Sequence, residues 1–201
     1  MNKRLLVLLP IALLTLTGCN KDGSKDKSGD SGDTPAEGGG SIEMDFTQSM
    51  WKDEQITPYI ETGSTEVKSF EYGGYTFNDC GSYANTYNGK YWLQMKNKDT
   101  EAQAFISNKT AASGAITKVE VTVNAEADGA SPNATYRLAL GSSEFTAVAE
   151  GTVKDEKKGA GLTLTVTADK SAGYKYFLLA NINVGTKKYN GQILKVKVTV
   201  E

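Results

Sequence analysis

Histidine is absent from all 201 residues of this chain. That removes Ser-His-Asp and Cys-His catalysis, imidazole acid–base work and histidine-ligated metal sites. Cysteine is nearly absent: Cys19 and Cys80 are the only two, too few for a thiolate zinc site. No strand-linked Gly-x-Gly-x-x-Gly and no phosphate loop ending in Lys-Ser/Thr is present, so nucleotide chemistry has no support. No apolar run reaches the roughly 20 residues that a membrane-spanning helix needs. The net charge is only −2 and no basic patch stands out, so nucleic acid is not an expected partner. No cofactor is implied.

The first eighteen residues have three parts. Lys3 and Arg4 form a short positive start, and residues 5–16 form an apolar stretch interrupted only by Pro10 and Thr15. The run then ends in Leu16-Thr17-Gly18-Cys19. A basic start, a short apolar core and a small-residue end are those of a secretory signal. A branched apolar residue, two small ones and a Cys resemble the lipobox of bacterial lipoproteins. The resemblance implies diacylglycerol on the Cys19 sulfur, cleavage before it and acylation of the new N-terminus. At about 0.8 kcal/mol per buried CH₂, several acyl chains would anchor the chain durably in a membrane. With Cys19 acylated, Cys80 would have no disulfide partner and is expected to be a buried small hydrophobe, with an exposed thiol as the alternative.

Residues 19–41 are expected to be the lipidated Cys and a flexible linker. From Asn20 onward this stretch is rich in Lys, Asp, Ser and Gly and has no aromatic residue, so it buries too little to offset its ordering entropy. Asp26, Asp30 and Asp33 do not have the spacing of a calcium loop, and no metal site is expected. Lys21-Asp22 resembles the charged export signal of Bacteroidetes surface lipoproteins, which implies anchoring to the outer membrane with exposure at the cell surface. Removing Lys3 and Arg4 leaves 20 basic against 24 acidic residues, a mildly acidic mature chain.

Residues 42–201 suit one domain and read almost wholly as strands. Val119, Val121 and Val123 alternate with polar residues, as do Leu162, Leu164 and Val166, and Tyr136, Leu138 and Leu140. In the last segment Leu194, Val196, Val198 and Val200 are expected on one face, with Ile193, Lys195, Lys197 and Thr199 on the other. Further strands are predicted at residues 42–46, 66–72, 74–77, 91–96, 102–107 and 174–181. Between them lie Asn88-Gly89, Asp128-Gly129, Ser131-Pro132-Asn133, Lys158-Gly159 and Asn190-Gly191, all with turn chemistry. Only residues 47–58 admit a helical turn, and the charge run 154–158 is expected to be a solvated turn. Roughly ten short strands with wet and apolar faces make an all-β antiparallel β-sandwich, with the jelly roll as the expected arrangement.

Tyr91-Trp92-Leu93-Gln94-Met95-Lys96 resembles a strand found in jelly-roll domains of secreted Bacteroidetes proteins. In those domains it precedes strands similar to Ala104-Phe105-Ile106-Ser107 and Gly114-Ala115-Ile116-Thr117-Lys118-Val119-Glu120-Val121 here. Tyr176-Phe177-Leu178-Leu179 and residues 192–200 are similar to the closing strands. The likeness spans roughly residues 66–201 and is one of hydrophobic positions. It implies a galactose-binding-like or carbohydrate-binding-module-like fold with a glycan-related role. The segment 78–88 departs from that pattern.

Without histidine, catalysis would fall to paired carboxylates about 5–10 Å apart. Asp45, Glu71, Asp79 and Glu101 are the candidates, and no spacing among them selects a pair. Binding is better supported by the aromatics. Leu93 and Met95 should face the core with Tyr91, which turns Trp92, Gln94 and Lys96 to the other face. An indole beside an amide and an ammonium suits a sugar's apolar face and hydroxyls, while a core role for Trp92 is the alternative. Residues 78–89, read as the longest loop, add Tyr83, Asn85 and Tyr87, residue types that give contact area and adaptable hydrogen bonds; the alternative is an ordinary hairpin connection whose Tyr rings cover the sandwich edge. Trp51 and Tyr59 are expected to pack and close the sandwich end.

The expected protein is therefore a non-catalytic, lipid-anchored envelope protein binding a polysaccharide or other glycan. A structural or adhesive subunit that binds an envelope protein is the alternative, and a small carbohydrate-active enzyme is a third reading. Expressed in a bacterial host fed labelled palmitate, the full chain should take up label and a Cys19→Ser variant should not.

Overall fold

The computed structural model describes residues 39–58, 66–96, 103–125, 133–182 and 189–201. The signal segment, Cys19, most of the linker, Tyr59, Glu101 and the Asp128-Gly129 turn lie outside them. Among the described residues the chain forms β1 (Gly40–Asp45), a short helix α1 (Met50–Asp53), β2 (Lys68–Tyr72), β3 (Tyr75–Cys80), β4 (Ser82–Tyr87), β5 (Lys90–Met95) and β6 (Ala104–Asn108). It continues with β7 (Ile116–Val123), β8 (Thr135–Gly141), β9 (Val153–Lys158), β10 (Thr163–Thr167), β11 (Tyr176–Ile182) and β12 (Gly191–Val200).

These strands make two antiparallel sheets packed face to face, the all-β sandwich that the alternation predicts. One sheet has the order β10-β7-β12-β5-β4, with β1 also paired to β12; the other has β2-β3-β6-β11-β8-β9. From β5 to β12 every connection except β8–β9 passes from one sheet to the other. The β2–β3 and β4–β5 hairpins close on Gly73-Gly74 and Asn88-Gly89, pairs in which both residues have positive φ. Such primed turns match the right-handed twist of the flanking strands.

The inner faces meet in one core. Val119, Val121, Val196, Val198, Leu93 and Met95 of the first sheet face Phe77, Ile106, Leu138, Leu140, Phe177 and Leu179 of the second. In β12 the phase differs from the sequence expectation: Ile193 is fully buried in the core, whereas Leu194 is only partly buried. The pairing of β12 with β7 slips between Ile193 and Lys195, a bulge that inserts one residue and returns Val196 to the inner face. An alternation template cannot anticipate an inserted residue.

Two strands lie where turns or loops were expected. Residues 82–87 form β4, an edge strand whose inward residues are the small Ser82, Ala84 and Thr86, so no apolar signal marks it. Residues 153–158 form β9, a charged edge strand in which only Val153 packs against the core. Polar residues suit an edge because they discourage further strand pairing. The β9 side chains also cover the edge of the opposite sheet: Asp155 Oδ2 accepts the Thr165 N–H (2.9 Å), and Lys157 Nζ donates to the Thr163 carbonyl (2.8 Å).

A second apolar cluster lies on the outer face of the β6–β11–β8 sheet. Cys80, Phe105, Ala139, Leu178 and Ala180 are buried there under Phe145. The Phe145 carbonyl accepts from Ser107 Oγ (2.7 Å) and Asn78 Nδ2 (3.4 Å), which fixes the covering segment. Cys80 is the buried small hydrophobe its sequence context suggests.

Trp51 closes one end of the core, as expected. It is 1% exposed and packs on Phe46 and Tyr72 with ring centroids 4.6 and 4.5 Å away. Trp51→Ala should lower unfolding stability by about 3–5 kcal/mol, read from urea midpoints.

Candidate functional site

The six residues singled out for binding come from β4, β5 and the position after β5. Antiparallel register places Tyr83 opposite Gln94, Asn85 opposite Trp92 and Tyr87 opposite Lys90. Directly opposed residues share a face. Leu93 and Met95 lie in the sandwich core, so Tyr83, Asn85, Tyr87, Trp92, Gln94 and, by alternation, Lys96 all lie on the outer face. Sequence reasoning put Tyr83, Asn85 and Tyr87 on a loop; the structure places them on a strand beside Trp92.

Accessibility divides the face. Tyr87 is 63% exposed and Trp92 only 9%. Tyr83, Asn85 and Lys96 are half-buried. The Trp92 indole N–H donates to Gln94 Oε1 (3.0 Å), and Gln94 Nε2 donates to the Gly191 carbonyl (3.2 Å). Trp92 and Gln94 thus form a hydrogen-bonded floor that ties β5 to β12, and Trp92 belongs neither to the core nor to an open platform. Lys96 Nζ lies 5.0 Å from the centre of the Tyr83 ring, a cation–π contact that orients both side chains.

The register also adds residues that sequence reasoning missed. Gln192 stands opposite Gln94, and Asn124 Nδ2 donates to Gln192 Oε1 (2.9 Å), extending the amide floor. The Asn190-Gly191 turn signal placed Gln192 at a strand start. Nothing local shows that its neighbour is Gln94, almost a hundred residues away in sequence.

The outward edge of β4 is closed by side chains. The Ser82 N–H donates to Asp79 Oδ1 (3.1 Å), the Ala84 N–H to Thr57 Oγ1 (2.8 Å) and the Thr86 N–H to Asn85 Oδ1 (2.9 Å). These are the donors that alternation aims away from β5. Each has an acceptor, so an incoming strand would have to displace Asp79, Thr57 and Asn85.

Asp79 has a role that its sequence position did not reveal. It is fully buried on the inner side of β3, where Oδ1 accepts from both the backbone and the hydroxyl of Ser82. This fixes the passage through Gly81 from one sheet to the other. Its Oδ2 has no hydrogen-bond partner among the described residues. Burial raises its pKa to about 7 against the opposing Ser82 hydrogen bonds. Burial, with the adjacent Asp79 charge, also pushes the Cys80 thiol up. Asp45 is affected by burial as well, but hydrogen bonds from Thr47 and the charge of Lys195 hold it below its ordinary value.

The described carboxylates of the catalytic reading sit on three different faces. Asp45 is on the outer face of the β1-containing sheet, alternate to the buried Met44. Asp79 points into the sandwich, and Glu71 lies on the outer side of β2, where it accepts from Thr76 (2.8 Å). They do not flank a common groove. Among the described residues no group of three His, Cys, Asp or Glu side chains is placed to hold a metal ion.

No protein-family model matches the sequence, and no curated protein matches it.

The Asp79 geometry sets a pH dependence. The folded carboxyl titrates near 7 and the unfolded one near 3.8, so between these values only the folded state keeps the proton. Its contribution to stability is full below about pH 4, falls as pH rises and is lost above about pH 7. Asp79→Asn should flatten this slope and raise the urea midpoint at pH 8 relative to the parent, with little change at pH 4.

Proposed function

We propose that this chain is a lipid-anchored, non-catalytic binding protein of the cell envelope whose ligand is a glycan. The site is the outer face of the β4–β5 hairpin. The observation that carries this reading is the register: it gathers Tyr83, Asn85, Tyr87, Trp92, Gln94 and Lys96 on one face of two adjacent strands. The exposed Tyr87 ring offers an apolar surface for a pyranose, and Tyr83, Asn85 and Lys96 flank it with polar groups. The amide floor of Trp92, Gln94, Gln192 and Asn124 holds these strands in fixed geometry beneath the ligand. A preformed surface of this kind limits the ordering cost of binding.

Cys19 supplies the anchor in this reading: acylated after export, it holds the sandwich to the outer membrane through the polar linker, exposed at the cell surface. The eight strands β5 to β12 support a jelly-roll arrangement. Their orders, β5-β12-β7-β10 and β6-β11-β8-β9, are those of two interleaved Greek keys. Binding of an envelope protein by strand addition is disfavoured at β4, where the outward N–H groups are capped.

Affinity gels cast with single polysaccharides test the reading on the purified full chain. Retardation by a glycan should fall at least about fivefold in apparent affinity in Tyr87→Ala, taking the roughly 1–3 kcal/mol of base–aromatic stacking as the scale for a ring on Tyr87. Tyr87 is exposed, so its removal leaves the core intact. Mobility unaffected by every polysaccharide would overturn the proposal.

A further inference from the structure

The amide oxygens on the outer face of β4, β5 and β12 are already engaged within the chain. Asn85 Oδ1 accepts the Thr86 N–H (2.9 Å), Gln94 Oε1 accepts the Trp92 indole N–H (3.0 Å) and Gln192 Oε1 accepts from Asn124 Nδ2 (2.9 Å). A backbone N–H and an indole N–H can only donate, so they fix which end of the Asn85 and Gln94 amides is oxygen. Gln192 takes the orientation that accepts from Asn124.

The amide nitrogens are engaged less completely. Gln94 Nε2 donates to the Gly191 carbonyl (3.2 Å), but Asn85 Nδ2 and Gln192 Nε2 donate to no group among the described residues. Neither nitrogen is enclosed: the side-chain polar atoms that are both buried and unpartnered are Asp79 Oδ2 and Asn181 Oδ1. Asn85 stands opposite Trp92 and Gln192 opposite Gln94, so the two lie diagonally across β5. Two strand spacings and two residues put them about 12 Å apart. This face thus holds two separated donors, with the exposed Tyr87 ring beside one of them.

A hydroxyl of an unmodified sugar brings both an oxygen and a proton. Its oxygen accepts from Asn85 or Gln192, but its proton meets amide oxygens that already hold a donor. A substituent that only accepts has no such mismatch. Polysaccharides carry two kinds, anionic groups and acyl carbonyls. Gln192 is 8% exposed and Trp92 9%, so a group reaching this floor gives up much of its water. Removing water from a full charge against neutral amides costs far more than removing it from a carbonyl. The acyl methyl, in turn, gains by contact with aromatic rings.

We propose that the face formed by β4, β5 and β12 recognises an O-acylated polysaccharide, with Asn85 Nδ2 and Gln192 Nε2 each donating to an ester carbonyl. This rests on the glycan-binding reading of the same face and specifies the chemical class of its ligand.

Matched polymers separate the two claims. Soluble xyloglucan, galactomannan and galactan, each unmodified and lightly O-acetylated, are cast in affinity gels for the purified full chain, with polygalacturonate alongside. At least one acetylated polymer should bind about fivefold or more tightly than its unmodified parent, the scale of two neutral hydrogen bonds. Asn85→Asp and Gln192→Glu keep the oxygens that receive Thr86 and Asn124 and remove only the outward donors. With folding checked by circular dichroism, each should shrink the preference for the acetylated polymer and the double variant should abolish it. Asn85 is half-buried, so Asn85→Asp alone tests the claim if the variants at Gln192 do not fold. Equal retardation by acetylated and unmodified polymers, or stronger retardation by polygalacturonate, would overturn the acyl assignment and leave the glycan reading standing. A preference that persists unchanged in the folded variants would overturn the assignment to these donors. Mobility unaffected by every polymer would overturn both claims.

Discussion

Strand β12 is the constraint on which the rest of this sandwich depends. Along one side it pairs with β7 over nearly its whole length. Along the other it is shared: Gly191, Gln192 and Ile193 pair with β5, and Lys195 to Val200 pair with β1. One strand therefore fixes three neighbours, and its bulge decides which residues those neighbours meet. Were Leu194 not taken up as an extra residue, either Ile193 or the valines after it would turn to the wet side. The bulge lets Ile193 sit above Leu93 and still keeps Val196, Val198 and Val200 in the same core. The cross-strand neighbourhood of Gln192 and Gln94, and with it the floor of the candidate site, follows from that choice of phase.

How much of this was legible in the sequence differed by physical origin. Strands whose two faces differ strongly, such as β7 and β10, carry their pattern openly, because each must bury one face and wet the other. Asn88-Gly89 marked the β4–β5 hairpin, whereas the Gly73-Gly74 turn between β2 and β3 was not read and Gly74 was expected in a strand. Edge strands were harder to read. β4 has small polar residues inward, and β9 has charges on both sides, so neither carries an apolar stripe. The bulge in β12 escaped because a single insertion conserves composition while inverting phase.

The candidate site was legible as a set of residues and not as an arrangement. Period two in residues 91–96 separates Leu93 and Met95 from Trp92, Gln94 and Lys96, and the structure agrees. That the Tyr- and Asn-bearing segment would lie beside Trp92 depends on strand pairing, which acts through backbone groups common to every residue. The burial of Trp92 was equally unreadable: an outer-face indole is open or covered according to its surroundings, and its own strand does not specify these. Asp79 shows the same limit in electrostatics. Its raised pKa follows from sitting on the inner side of β3, where burial disfavours the charged form.

The capped edge of β4 bears on how copies of this chain behave together. Edge strands with open donors are templates, and the danger grows with local concentration because templating is a collision between copies. At β4 the donors are held by Asp79, Thr57 and Asn85, each supplied by the same molecule at no cost in association entropy. A neighbour's backbone would compete against intramolecular partners at very high effective concentration. Along this edge, crowding alone does not turn proximity into growth: many copies can stand side by side, with Tyr87 beside the edge turned outward, and remain separate molecules.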